Sequence, residues 1–304
     1  MNSISTIKDE ATGLLLPAED ASREVKRRMR RPFFAWLTIL VIAIAAVIAS
    51  PYLSSWIPGT AVMGVCFAAG ALFLFLIYVY FSAGRRFIVQ FAAANNFTFK
   101  NHEKPRKEPG TLFRVGHSRR MRNIVAGTYA ATPFRFFSYT FTKGSGKSQA
   151  NFAYSVFTIQ TPAKLPSIFL ANKKHRNFAN NIFLVLELFG PFQGAHAPKK
   201  VGLEEGWSDT LELRAPEDYE IEALQLFNGK VCTALKDYFL ETRLAATIEF
   251  ADDQLYIYVE GAADTAAKLS AIYSLAALII TECLPELQKM RGGLEAQREI
   301  FAGK

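Results

Sequence analysis

Residues 33–49, "FFAWLTILVIAIAAVIA", and residues 61–83, "AVMGVCFAAGALFLFLIYVYFSA", contain no Asp, Glu, Lys, Arg or His. At a helical rise of about 1.5 Å per residue, the second run covers about 34 Å and the first about 25 Å, against a bilayer core of about 30 Å. Adding 50–53 lengthens the first run. Because neither run carries a polar stripe, transmembrane helices are favoured over a buried soluble hairpin. We predict spans at 33–53 and 61–83, within a membrane hairpin of residues 32–84.

The charges that flank the two runs predict their orientation. The loop between them, residues 50–60, is uncharged, whereas Arg85 and Arg86 follow the second run. Residues 23–32, directly before the first run, contain one acidic residue, Glu24, and six cations: Arg23, Lys26, Arg27, Arg28, Arg30 and Arg31. By the positive-inside rule, both termini lie in the cytoplasm and the short loop faces outward. The "RRPFF" stretch also resembles a twin-arginine signal, but a second span follows too closely for export and cleavage to be favoured.

Small residues in the two runs indicate how the helices would pack. Ala45 and Ala49 form one small-xxx-small pair, and Gly64 and Ala68 form another. Such pairs allow close backbone approach between helices in lipid. Since no charged side chain lies within either span, no pathway for ions or protons is visible. The hairpin is interpreted as an anchor.

The stretch from Tyr139 to Phe152, "YTFTKGSGKSQANF", contains the letters that close a nucleotide-binding P-loop. That motif needs a glycine five residues before Gly146, where this chain has Phe141. Strand-like segments lie on both sides, at 134–142 and 151–160, and no helix follows to direct its dipole at a phosphate. We therefore predict a β-hairpin turn.

The remaining chain is predicted to divide into a basic cytoplasmic tail (1–31), a juxtamembrane helix and linker (85–110) and a cytosolic domain (111–304). Within the domain, strands are expected up to residue 172, and residues 181–190 fit either helix or strand. A second hairpin is expected to turn at Asp252-Asp253. Helices are expected at 219–227, at 229–240 and from Asp264 toward Met290, where Lys268 and Glu282 are too close together to flank a third span. The predicted fold class is a two-helix transmembrane hairpin followed by an α+β domain with antiparallel β-hairpins and a long C-terminal helix.

Charge is divided along the chain. Residues 84–200 carry 19 basic and 3 acidic residues (+16), and residues 201–304 carry 9 and 19 (−10), which with +2 from residues 1–31 gives the net +8. The basic half could face an anionic leaflet or be neutralised by the acidic half, and both interpretations stay open. Candidate contacts to anionic lipid are the arginines near the membrane exit: Arg85, Arg86, Arg114, Arg119, Arg120 and Arg122.

The sequence shows no recognised catalytic, metal or cofactor site. The four histidines are scattered, and Cys66, Cys232 and Cys283 have no ligand partners at metal-binding spacing. The adjacent pairs Glu204-Glu205 and Asp252-Asp253 are typical of solvated turns. Nucleic-acid binding is not favoured, because no known binding module is present.

Four stretches carry a resemblance: "LFRVG" from Leu112, "NIVAGTYAATPFRFFSYTFT" from Asn123, "EGWSDTLELRAPEDYEIEAL" from Glu205 and "TIEFADDQLYIYVEG" from Thr247. Together with the spans, they resemble a group of bacterial two-pass membrane proteins with a cytosolic domain of unknown function. The resemblance implies an inner-membrane location and an α+β domain, and it transfers no catalytic residue.

Two functional hypotheses follow from the sequence. The first is a non-enzymatic, membrane-tethered binding or scaffolding protein at the cytoplasmic face. Its partners would be the lipid bilayer, anionic head groups, other membrane proteins or a second copy of the chain. The alternative is an enzyme that acts on a lipid or membrane-associated substrate, with a site assembled from distant residues.

Overall fold

A seven-stranded antiparallel sheet forms the centre of the protein. The computed structural model describes residues 6–18, 67, 70, 71, 74, 83–105, 108–173 and 198–302, with side chains described up to residue 290 except at residue 147. The strands of the sheet are β3 (Thr98–Glu103), β4 (His117–Tyr129), β5 (Thr132–Lys143), β6 (Ala150–Asn172), β7 (Lys199–Val201), β8 (Leu211–Ala215) and β9 (Ala246–Glu260). Their order is β3-β4-β5-β6-β8-β7, and β9 pairs with β6.

The helices follow the expected order. They are α1 (residues 83–94), α2 (Glu205–Ser208), α3 (Glu220–Leu226), α4 (Gly229–Thr242) and α5 (Ala266–Ala302). Short 3-10 turns lie at Thr111–Arg114, Gly146–Ser148 and Glu217–Tyr219. The α+β class, the antiparallel sheet and the long C-terminal helix are confirmed.

The two predicted hairpins have different outcomes. Lys143 pairs with Ala150 across the Gly-Ser-Gly-Lys loop, so the β5–β6 turn is confirmed and no helix follows it. The prediction of a hairpin at Asp252-Asp253 is wrong, because β9 continues through both residues as one strand that pairs with β6. Asp252 has a φ of 54° at a register shift. An Asp tolerates this left-handed conformation, so the turn-like pair accommodates a bulge rather than a reversal.

Helices cover one face of the sheet and form the main core. α5 contributes Leu269, Ile272, Tyr273, Ala276 and Ile279, each with no exposed surface. The segment Ala266–Met290 of this helix is long and apolar enough to cross a membrane. Its apolar face, however, packs on the sheet as the sequence predicts, and the helix continues through Pro285.

The opposite face of the sheet carries a second core that is rich in aromatic residues. Phe113 lies between Tyr139, Tyr256 and Phe137, with ring centroids 4.8, 5.4 and 6.1 Å away. Phe113 belongs to the 3-10 turn in the connection between β3 and β4. That connection therefore covers the face that no described helix contacts.

The N-terminal residues return to the domain. β1 (Thr6–Lys8) pairs with β2 (Leu15–Pro17), and Leu14 and Leu16 are buried in the main core. The same core contains Phe87 and Phe91 of α1. The chain on each side of residues 19–82 is thus fixed to one domain.

Several predictions fall outside the described residues. These are most of the spans 33–53 and 61–83, the packing residues Ala45, Ala49, Gly64 and Ala68, and the segment 181–190. Residues 67, 70, 71 and 74 are described and are helical. Residues 83–94 are helical, where a juxtamembrane helix is expected, whereas the stretch 100–110, where a linker is expected, begins with four residues of β3.

Candidate functional site: a basic cavity beside the predicted membrane exit

The candidate site is built on the pairing of β3 with β4. His102 lies directly opposite Arg122, and Glu103 lies opposite Met121. Met121 is 1% exposed and anchors β4 in the second core. Because successive strand residues point to opposite faces, Arg120 and Arg122 are directed away from that core, and both are exposed.

Local irregularities of β4 shape this end of the sheet. Ser118 and Asn123 have φ values of 53° and 52°, and the register against β5 shifts on both sides of the arginine segment. Bulges of this kind increase strand twist and redirect side chains. The segment Arg119–Arg122 is consequently displaced from a flat ladder and lines a concavity.

The concavity has a volume of about 430 Å³. It is lined by Arg85, Asn101, His102, Glu103, Lys104, Pro105, Arg119, Arg120, Met121, Arg122 and Asn123. Five of these residues are cations and one is a carboxylate, which gives a formal charge of +4 with histidine neutral. We call this set the basic cavity. Its composition suits an anion rather than a cation or an apolar ligand.

Two charged residues of the basic cavity, Glu103 and Arg119, have partners within the domain. Glu103 lies 3.6 Å from the Lys100 ammonium and 3.8 Å from the Arg135 guanidinium, so its charge is shared with cations outside the cavity. Arg119 donates to the carbonyl oxygens of Gly116 at 3.1 Å and Arg114 at 2.9 Å, which fixes its guanidinium.

The other arginines of the cavity are available to a ligand. Within the part of the chain that the structure describes, no hydrogen bond or ion pair connects the side chain of Arg85, Arg120 or Arg122 to another residue. All three side chains are exposed. The donors of these guanidinium groups can therefore reach an anion without breaking an internal contact.

The structure brings together four of the six arginines proposed from sequence. Arg85, Arg119, Arg120 and Arg122 line the basic cavity, whereas Arg86 and Arg114 do not. Arg114 instead lies at the end of the 3-10 turn and donates to the Pro109 carbonyl at 3.3 Å.

Sequence reasoning missed His102 and Lys104. Both fall in the polar stretch 100–110, whose composition and two prolines predict a linker. The signal that could have placed them was the short alternation Phe97-Thr98-Phe99-Lys100, whose last three residues form the first half of β3.

Strands β3 and β4 form two walls of the basic cavity, and two glutamates attach the connection between these strands to the sheet. Glu249, on β9, is fully buried and accepts hydrogen bonds from the Thr111 backbone N–H at 2.9 and 3.1 Å. It also accepts from the Thr111 hydroxyl, and from the Tyr258 hydroxyl at 2.6 Å. Burial raises the pKa of the Glu249 carboxyl, although these hydrogen bonds oppose the shift.

The second glutamate, Glu108, lies in the connection itself. It accepts from Arg135 Nη1 at 3.0 Å and from the Tyr256 hydroxyl at 3.0 Å. Tyr256 and Tyr258 are stacked, with ring centroids 5.7 Å apart and planes 7° apart. The pair of glutamates and the pair of tyrosines together attach the β3–β4 connection to the sheet.

Glu249 has no exposed surface, so a substrate has no access to its carboxyl group. Among the described residues, no group of three or more His, Cys, Asp or Glu side chains is arranged to hold a metal ion. The pairs Glu204-Glu205 and Asp252-Asp253 lie at the start of α2 and within β9, and are not brought together at a common site.

Comparison with known proteins does not assign this chain to a family. No protein-family model matches the chain, and no curated protein is similar to it in sequence. Among solved structures, the crystal structure of the mycobacterial trehalose monomycolate transport factor A, TtfA, aligns with a TM-score of 0.43 and 8% identity. The alignment covers 64% of this chain and 94% of TtfA. At this TM-score, the alignment supports no conclusion about the fold or the function of this chain.

Proposed function

We propose that this chain is a membrane-tethered binding protein of the cytoplasmic face, whose basic cavity contacts anionic lipid head groups. The observation that carries the proposal is the position of Arg85. It lines the basic cavity and follows the predicted second span, 61–83, by two residues. At about 1.5 Å per helical residue, its Cα lies about 3 Å along the axis from the end of that span.

The attachment of the N-terminal residues supports two membrane crossings. Residues 6–18 and α1 pack in the same core, so the chain before the predicted hairpin and the chain after it lie on one side of any membrane. An even number of crossings is required between them. The two uncharged runs meet that requirement, and the arginines at both ends favour the cytoplasmic side.

The described residues of the second run also suit lipid. Phe67, Gly70, Ala71 and Leu74 are helical and exposed, and their spacing places them on one face of a helix. Phe67 is 76% exposed and Leu74 is 66% exposed. Large apolar side chains with this exposure are expected to contact hydrocarbon rather than water.

The charges at the cavity favour the leaflet-facing interpretation of the basic half. Glu103 is the one carboxylate in the cavity lining, and it is already shared with Lys100 and Arg135. Neutralisation by the acidic half would require acidic partners for Arg85, Arg120 and Arg122, and the described part of the chain provides none. The enzyme hypothesis gains no support from Glu249, since this carboxyl group, whose pKa is raised by burial, has no exposed surface.

The proposal can be tested with the full chain in lipid nanodiscs. Hydrogen–deuterium exchange would be compared between neutral phosphatidylcholine discs and discs that contain an anionic lipid. We expect slower exchange at 101–105 and 119–123 in anionic discs at low salt, and a smaller difference at high salt. Equal exchange in both kinds of disc at both salt concentrations would contradict the proposal.

A further inference from the structure

We propose that the basic cavity is a site for one phosphomonoester group, presented by a lipid of the adjacent leaflet. The inference rests on the proposed function and narrows it, because a general basic face would attract any anionic membrane. A site of this kind would instead distinguish a phosphomonoester lipid, such as phosphatidic acid, from a phosphodiester lipid, such as phosphatidylglycerol.

The size of the cavity fits a head group. Its volume of about 430 Å³ lies within the range of about 300–1,000 Å³ that is usual for small-ligand pockets. The lining residues are mostly polar or charged, so the cavity suits a head group rather than acyl chains. The acyl chains would remain in the bilayer that α1 leaves.

The charge of the cavity fits a phosphomonoester better than a diester. A phosphomonoester carries about −1.5 to −2 charges near neutral pH and has three free oxygens. A diester carries one charge and has two free oxygens. A lining with five cations and one shared carboxylate gains more from the additional charge and the additional acceptor.

The donors are arranged on adjacent strands around one space. Arg120 and Arg122 project from β4, and His102 lies opposite Arg122 on β3. Planar guanidinium groups match phosphate oxygens in a bidentate manner, which a single lysine cannot do. The anchored Met121 between the two arginines fixes their spacing, since it is buried in the second core.

The location of the site favours a lipid over a soluble phosphate. Arg85 contributes to the cavity from the helix that follows the predicted second span. A lipid phosphate lies at that depth, whereas a soluble ligand would gain nothing from a position beside the bilayer. The shared chemistry is the phosphomonoester, and the two sources can be separated by experiment.

The test uses the full chain in phosphatidylcholine nanodiscs, with binding measured by isothermal titration calorimetry. The probes are dihexanoyl phosphatidic acid, dihexanoyl phosphatidylglycerol and glycerol 3-phosphate. We expect saturable binding of the phosphatidic acid at a single site, with an affinity about tenfold above that of the phosphatidylglycerol. Equal affinities for the monoester and diester lipids would overturn the inference. Equal affinities for phosphatidic acid and glycerol 3-phosphate would support the phosphomonoester site and assign it to a soluble ligand.

Matched variants separate the site from a general basic face. Arg122→Gln removes a cation inside the cavity, and Arg114→Gln removes one from the same region outside it. We expect Arg122→Gln to lower phosphatidic acid affinity about tenfold or more, and Arg114→Gln to lower it less than about threefold. Lys104→Gln provides a second cavity variant if Arg122→Gln fails to fold.

The outcomes distinguish the two proposals. If Arg122→Gln and Arg114→Gln weaken binding to anionic lipid equally, the proposal of a single phosphomonoester site is wrong. The proposal that a basic surface faces the leaflet is then unaffected. If neither lipid binds above the background of neutral discs, both proposals are wrong.

Discussion

Leu15 and Asn95 exchange two hydrogen bonds across 80 residues of sequence. The Leu15 backbone N–H donates to Asn95 Oδ1 at 2.9 Å, and the Asn95 amide donates to the Leu15 carbonyl at 2.8 Å. The same amide donates to the Phe91 carbonyl at 2.9 Å, near the end of α1. Asn95 therefore joins the chain that precedes the predicted membrane hairpin to the helix that follows it.

The first prediction concerns Asn95→Ala. This variant removes all three hydrogen bonds, of which the two to Leu15 hold β1 and β2. At about 0.5–1.5 kcal/mol each, we expect the attachment of β1 and β2 to weaken by about 1–3 kcal/mol. Faster hydrogen exchange over residues 6–18 would be the measurement. Asn151→Ala, near the distant start of β6, is the matched control and should leave that segment protected. Unchanged exchange in Asn95→Ala would show that apolar packing of Leu14 and Leu16 alone holds the segment.

The second prediction concerns the sidedness of the chain. Ser55→Cys places a thiol in the predicted outer loop, and Ser145→Cys places one in the exposed β5–β6 loop. With a membrane-impermeant maleimide, we expect intact cells to label Ser55→Cys alone, and permeabilised cells to label both. Labelling of Ser145→Cys in intact cells would place the domain outside and contradict the charge-based orientation.

The third prediction concerns the buried native cysteines. Burial raises the pKa of Cys232 to about 12 and raises that of Cys283 further. Because the thiolate is the reactive form, we expect neither to react with iodoacetamide at pH 8 in the folded protein, and both to react after unfolding. Ser145→Cys, with its exposed thiol, is the positive control. Modification of Cys232 at the rate of that control would show that α4 opens readily.

The sequence predicts those elements whose local pattern and tertiary environment agree. α5 has apolar residues at helical spacing and buries that face, and the β5–β6 loop has glycine-rich turn chemistry between two aromatic strands. The sequence predicts two strands in place of β9, because Asp252-Asp253 is a strong turn signal. That signal is local, whereas pairing of both halves with β6 is a tertiary interaction that the pattern does not contain.

The basic cavity could be predicted only in part. Charge counting near the membrane exit found Arg85, Arg119, Arg120 and Arg122. The strand that carries His102 is not predicted, because its composition is polar. The packing of Leu14 and Leu16 in the core is not predicted either, because three-residue strands are too short to show a periodic pattern.

The fourth prediction concerns Gly110→Ala in the connection that joins the cavity walls. A Cβ at this position would overlap the Tyr258 hydroxyl and lie 3.0 Å from the rings of Phe113 and Tyr256. Since Tyr258 is fully buried and bonded to Glu249, it cannot move without breaking that contact. We expect a loss of about 1–3 kcal/mol in the free energy of unfolding, measured by thermal denaturation. Gly202→Ala has open space around the added methyl and is the control.

The fifth prediction concerns pH and Glu249. Its carboxyl pKa is raised above the ordinary value of 4.5, mainly by burial, so the folded state holds the proton more tightly than the unfolded state. Between the unfolded and folded pKa values, the folded protein binds more protons, and stability must fall as pH rises through that window. Glu249→Gln has a similar shape and cannot ionise. We expect it to remove this contribution, so that the melting temperature declines less above pH 4.5 than in the unsubstituted protein.

The control for this test is Glu241→Gln, which changes an exposed carboxylate on α4 and should leave the pH profile unaltered. The comparison depends on the difference in slope rather than on absolute stability, because detergent and lipid affect all three proteins alike. If Glu249→Gln and the unsubstituted chain show parallel profiles from pH 4.5 to pH 8, Glu249 is ionised in the folded protein throughout that range. The hydrogen bonds from Thr111 and Tyr258 would then outweigh burial.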